Sequence, residues 1–141
     1  MPIPVTDFAH VRLTVTDIAR SRAFYDEVFG FDVAFEAPPE DADPETKEQL
    51  AFLFGGVIYQ FAGGLLGLRP VAPSHDRYDE DRVGLDHLSL AVASRADLDA
   101  AAATPDRLGV AHEGVKDIGA GWILEFRDPD NIALEIFAPK S

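Results

Sequence analysis

The sequence predicts an α+β fold made of two βαβββ modules, on three observations. Two look-alike apolar segments, "FAHVRLTV" and "LDHLSLAV", each carry one of the chain's four histidines near the start. Placing His10 on His87, an offset of 87 − 10 = 77, lays "HVRLTVTDIARSRAFYDEVFGFDV" over "HLSLAVASRADLDAAAATPDRLGV", so each half reads strand, helix, Gly-marked stop. Three further strand-like stretches follow each helix. The 141 residues are read as a single domain, with a first module over 5–62, a linker over 63–84 and a second module over 85–139.

Each element has a local reason. In the opening strand Val11, Leu13 and Val15 form one face, and His10, Arg12 and Thr14 the other. Thr16 or Asp17 caps the helix that follows, and Gly30 suits its left-handed stop. Strands are expected over 31–36, 50–54 and 57–62. The stretch 36–48, "EAPPEDADPETKE", is Pro-rich and acidic and reads as a solvated loop. In the second half Leu88, Leu90 and Val92 oppose His87, Ser89 and Ala91. Ser94 and Asp97 resemble a capping box, Pro105 is expected to end or kink the helix, and Gly109 stops it. Strands are expected over 110–113, 122–127 and 132–137.

Composition narrows the function classes. No run reaches the roughly 18 apolar residues of a membrane span. The start, "MPIPVTD", lacks the basic and apolar parts of a signal peptide, so a cytoplasmic location is expected. There is no cysteine, which excludes disulfides, thiolate metal sites and a cysteine nucleophile. A net charge of −13 repels phosphate backbones, so the partner is expected to be a small molecule and not nucleic acid.

Strand parity points both histidines away from the apolar faces. In the last strand Ile132, Leu134 and Ile136 alternate with Ala133, Glu135 and Phe137, which turns Glu135 toward the side of the histidines. A carboxylate between Leu134 and Ile136 needs a cation or donor. Two imidazoles and one carboxylate make a site for a divalent ion: Zn, Mn, Fe, Co or Ni. "VIYQFA" is taken as the first module's matching last strand, and two positions in it compete. Parity and spacing (60 − 10 = 50 against 135 − 87 = 48) favour Gln60, while direct overlay on "ALEIFA" favours Tyr59.

These residues resemble the vicinal oxygen chelate superfamily, which holds glyoxalase I, methylmalonyl-CoA epimerase, extradiol dioxygenases, and fosfomycin-resistance and bleomycin-binding proteins. The resemblance covers about residues 5–139. "EFRDPDNIALEIFAP" is similar to the family's final hairpin, "SRAFYDEVFGF" to its first helix and turn, and "GLDHLSLAV" to the strand opening its second module. It implies a glyoxalase-like curved mixed sheet around a metal-binding cleft, with His10, His87 and Glu135 as ligands and Gln60 where relatives carry Glu or Gln. It also implies a homodimer. Asn131 departs from the usual Gly of the hairpin, yet tolerates the left-handed turn.

The chemistry expected is that of an isomerase or lyase: a Lewis-acid metal stabilises an enolate or enediolate of a small oxygen-bearing substrate. Such a reaction needs a base, and Glu135 and Glu125 are the candidates. Arg127 or Arg12 is the expected ion-pair partner if Glu125 is only structural. Arg12, Arg69, His75 and Tyr78 are candidate substrate contacts, and His112 is expected to be an exposed strand residue. The alternatives are a metal-free protein that sequesters an antibiotic or metabolite and, further off, an extradiol-type dioxygenase.

Overall fold

Two four-stranded mixed sheets, each in its own unit, carry the chain. The computed structural model describes residues 1–140. The units divide the chain at His75 and Asp76. Among the described residues no helix is long and apolar enough to cross a membrane.

The first unit runs β1 (His10–Thr14), α1 (Ile18–Val28), β2 (Asp32–Glu36), α2 (Pro44–Gln49), a 3-10 turn (Ala51–Leu53), β3 (Val57–Phe61) and β4 (Gly64–Arg69). Asp17 is the helix cap, its side chain accepting from the Arg20 N–H, and Gly30 adopts the expected left-handed conformation at φ +61°. The strand order is β1-β4-β3-β2, with β1 parallel to β4. Leu13 and Val15 beneath β1, Tyr59 of β3 and Leu66 and Leu68 of β4 are buried with Tyr25 of α1. The Tyr59 hydroxyl donates to Asp26 of α1 at 2.8 Å, which ties helix to sheet.

Three expectations for this unit are corrected. Residues 50–54 are not a strand. Asp43 caps α2 at a proline-led start, the helix tightens into the 3-10 turn, and Phe54 ends it in the left-handed region. The stretch 36–48 is therefore partly helical. Residues 64–69 are not linker but the fourth strand, with Leu66 and Leu68 alternating into the core.

The second unit runs β5 (Leu88–Ala91), α3 (Arg95–Ala101), α4 (Ala103–Leu108), β6 (Lys116–Asp117), β7 (Gly121–Arg127) and β8 (Ala133–Pro139), in the order β5-β8-β7-β6. Ser94 caps α3, accepting from the Asp97 N–H. The helix breaks at Ala102, because Pro105 has no N–H to return to Ala101, one turn earlier. The strand expected over 110–113 is irregular, and the short edge strand lies instead at 116–117. Asn131 takes φ +69° in the β7–β8 turn, where the buried Asp128 side chain accepts from the Asp130 and Ile132 N–H groups.

Candidate metal and substrate site

Sheet register decides which side chains share a face. In the second unit Ser89 pairs with Glu135 and Glu135 with Glu125, so one row crosses β5, β8 and β7. His87 precedes β5 by one residue and keeps the same parity. The Ser89 hydroxyl donates to Glu135 Oε1 at 2.6 Å, and His87 Nε2 lies 3.6 Å from Glu135 Oε2. Asp86 Oδ1 sits 2.5 Å from His87 Nδ1. That bond raises the imidazole pKa, as do the Glu135 and Asp86 charges, against the opposing effect of partial burial. With Nδ1 engaged by Asp86, Nε2 is the ring nitrogen that faces Glu135.

This pair fits a divalent ion. Ligand bonds of about 2.1 Å at a tetrahedral angle put two donor atoms roughly 3.4 Å apart. The observed 3.6 Å matches that spacing. Among the described residues no group of three or more His, Asp or Glu side chains converges as a metal site.

Around the pair lies a cavity of about 470 Å³ within the second unit, lined in part by His87, Lys116, Glu125, Arg127, His112 and Glu135. Glu125 and Glu135 are direct cross-strand neighbours, a like-charge arrangement that a sheet disfavours unless cations compensate. The cation nearest Glu125 is Lys116, at 3.6 Å, which bonds more closely to Glu113. This corrects the expected pairing with Arg127 or Arg12. Arg127 instead forks onto Glu80 through two bonds of 2.8 and 3.0 Å and pulls that carboxyl down to about 2. His112 is no exposed strand residue: its ring is mostly covered, Nε2 meets Asp106 at 2.6 Å and Nδ1 accepts from the Gly114 N–H.

Tyr78 is a fastener. Its hydroxyl donates to the carbonyls of Leu85 and Asp86, its N–H reaches the Asp130 carbonyl, and its own carbonyl accepts from Asn131 Nδ2. The ring thereby holds the stretch leading to Asp86 against the β7–β8 turn.

The first unit repeats the register and changes the residues. His10 and Gln60 both pair with Leu65, which places them in one row on one face. Tyr59 lies on the opposite, buried face. The strand equivalent to β8 is β4, not β3, since β4 is the one parallel to the histidine strand. Counting two residues on from each histidine gives Ser89–Glu135 in one unit and Arg12–Gly67 in the other. Gly67 and not Gln60 therefore occupies the Glu135 position, and the equivalence drawn for Gln60 does not hold.

Arg12 fills the space that Gly67 leaves. A Cβ on Gly67 would lie 2.7 Å from Arg12 Cγ. One terminal nitrogen donates to the Phe52 carbonyl at 3.0 Å, while Nε is buried without a partner. An unsatisfied buried donor costs about 1–3 kcal/mol. Arg69 stacks over the Phe54 ring at 4.2 Å. His10 is exposed and makes no hydrogen bond among the described residues, and the same holds for His75. Parity alone marked Ser89, and adjacency to His87 was the available sign for Asp86. Lys116 and Gly67 had no sequence sign, because their roles follow from register.

The family model described as Glyoxalase/Bleomycin resistance protein/Dioxygenase superfamily matches residues 7–136. A glyoxylase/bleomycin resistance protein/dioxygenase domain from Frankia sp. EAN1pec is 30% identical with a TM-score of 0.76, over 97% of this chain and 94% of that one. A variant of the fosfomycin resistance protein FosX from Listeria monocytogenes, complexed with Mn(II) and 1S,2S-dihydroxypropylphosphonic acid, is 17% identical with a TM-score of 0.71, over 96% and 94%. Lactoylglutathione lyase from Agrobacterium tumefaciens is 19% identical with a TM-score of 0.69, over 96% of each chain. A comparison with curated proteins finds no match.

Proposed function

The chain belongs to the Glyoxalase/Bleomycin resistance protein/Dioxygenase superfamily, and from that premise we propose that it is a divalent-metal-dependent isomerase or lyase of glyoxalase or epimerase type, with His10, His87 and Glu135 as ligands. The observation that carries the proposal is the His87–Glu135 pair, held at chelating distance by Asp86 on one side and Ser89 on the other. A Zn, Mn, Fe, Co or Ni ion held by these residues would supply the Lewis acidity that an enolate- or enediolate-forming reaction of a small oxygen-bearing substrate needs.

The side chains divide the remaining work. Asp86 fixes the tautomer and plane of His87. Ser89 occupies Glu135 Oε1 and leaves Oε2 toward the imidazole. Glu125, one strand away on the same face and 3.6 Å from Lys116, accepts the proton from the substrate carbon next to the carbonyl and returns it as the product forms. The active species is a homodimer of cytoplasmic location, and light scattering at twice the chain mass is the expected result.

Elemental analysis of protein purified without a metal-affinity tag tests the proposal. One equivalent of a divalent metal, lost in His87→Ala and in His10→Ala, is expected. A protein that takes up none of the five ions when offered them sinks it. The second reading, a metal-free binder of an antibiotic or metabolite, draws on the cavity of about 470 Å³ beside the pair, which is large enough to hold a small molecule. The same measurement separates the two.

A further inference from the structure

Arg12 and Arg69 stand apart from most of the chain's charge. The sequence has 25 acidic and 12 basic residues, so a half-buried cation ordinarily finds a carboxylate. Arg22, Arg95 and Arg127 do, pairing with Glu36, Asp99 and Glu80. Among the described residues neither Arg12 nor Arg69 has an acidic partner. Both lie on the His10 face of the first sheet. Arg12 pairs in register with Gly67, and Arg69 is two residues further along the same strand, a diagonal separation of roughly 8 Å.

Apolar rings border this pair. Phe35 shares the Arg12 row through Ile58 and Gly67, and meets Phe52 edge-on at 6.1 Å between centroids. Phe35, Phe52 and Phe54 are all exposed. Phe54 is also held at φ +52°, a left-handed conformation in which a bulky side chain is an outlier. Its ring supports the Arg69 guanidinium from one face, which leaves that group's in-plane donors unused. Arg12 is oriented by the Phe52 carbonyl and has room only because residue 67 has no side chain.

Cations without counter-charges beside exposed rings complement one kind of ligand, an anion with a flat apolar body. We infer that Arg12 and Arg69, together with Phe52 and Phe54, form a substrate subsite for the carboxylate of a small aromatic acid. The inference rests on the reading of this protein as a small-molecule enzyme, yet binding at the subsite needs no metal. Arg12 sets specificity by charge and the rings by shape. The row that carries Ser89 and Glu135 in the second unit carries Arg12 and Gly67 in the first, so the same row presents a carboxylate in one unit and a cation in the other.

Calorimetric titration of the full chain with benzoate, acetate and benzyl alcohol tests this, run with and without added metal. Saturable binding of benzoate, about tenfold or more tighter than either other probe, is expected. Arg12→Gln removes the preference for benzoate over benzyl alcohol, and Phe54→Ala removes the preference for benzoate over acetate. Arg12→Lys, which keeps the charge, retains part of the affinity and controls for folding. Benzoate and benzyl alcohol binding equally, or benzoate affinity unchanged in Arg12→Gln, overturns the inference. Metal uptake without benzoate binding would sink the subsite alone, and benzoate binding without metal uptake would sink the metal reading alone.

Discussion

Two residues past the matching histidine, the second sheet carries Ser89 hydrogen-bonded to Glu135, and the first carries Arg12 lying over Gly67. The backbones are equivalent: an edge strand bearing the histidine, parallel to the last strand of its module. The chemistry is inverted. One row carries a carboxylate that accepts from Ser89, the other a cation with no carboxylate beside it among the described residues. The two units share the platform and differ at these two positions, because side chains on this face of a sheet can change without disturbing the apolar face that holds the fold together.

The comparison breaks first at Glu135 and its neighbour Glu125. Glu135→Gln is expected to lose metal and activity together. Glu125→Gln is expected to keep stoichiometric metal and lower kcat by about 10²–10⁴-fold. Equal loss of metal in both variants would erase the division of roles between β8 and β7. Next in size, Asp86→Asn removes the acceptor that orients His87 and is expected to weaken metal binding about 10–100-fold, read by competition with a chelator.

Gly67→Glu sharpens the comparison by giving the first sheet the second sheet's carboxylate. The new side chain displaces Arg12 from Cγ outward, so benzoate binding should be lost, with circular dichroism and melting run to separate that loss from unfolding. Smaller effects concern how each unit is secured. Tyr59→Phe deletes the helix-to-sheet bond with Asp26 and should cost about 1 kcal/mol in denaturant unfolding. Glu80 is held at about 2, below its ordinary 4.5, by Arg127. A depressed carboxyl stabilises the folded state above its unfolded pKa and loses that contribution as pH falls through the folded value. The melting difference between the native chain and Glu80→Gln should therefore be present at pH 6 and shrink progressively from about pH 4.5 toward pH 2.

Much of the platform was legible in the chain. Alternation identified the histidine strands and the last strand, and caps identified the starts of α1 and α3, because each of these is decided by residues a few positions apart, while the hairpin at "DPDN" was read from the family resemblance. Where local pattern was ambiguous the reading failed. "LAFLF" has strand composition, but the Asp43–Pro44 start upstream commits it to helical geometry. "GLLGLR" looks like a glycine-rich connection, and only pairing with β1 and β3 makes it a strand.

The site divides along the same line. Sequence alone determined that His10, His87 and Glu135 point away from the apolar faces of their strands, since parity is a property of the chain's own geometry. Tertiary structure decided what stands beside them: that β4 and not β3 matches β8, that Lys116 and not Arg127 serves Glu125, and that Arg12 lies over Gly67. Those facts are sheet registers and side-chain neighbours between strands distant in sequence. No local propensity encodes them, because they arise only when hydrogen-bonded ladders bring separate segments side by side.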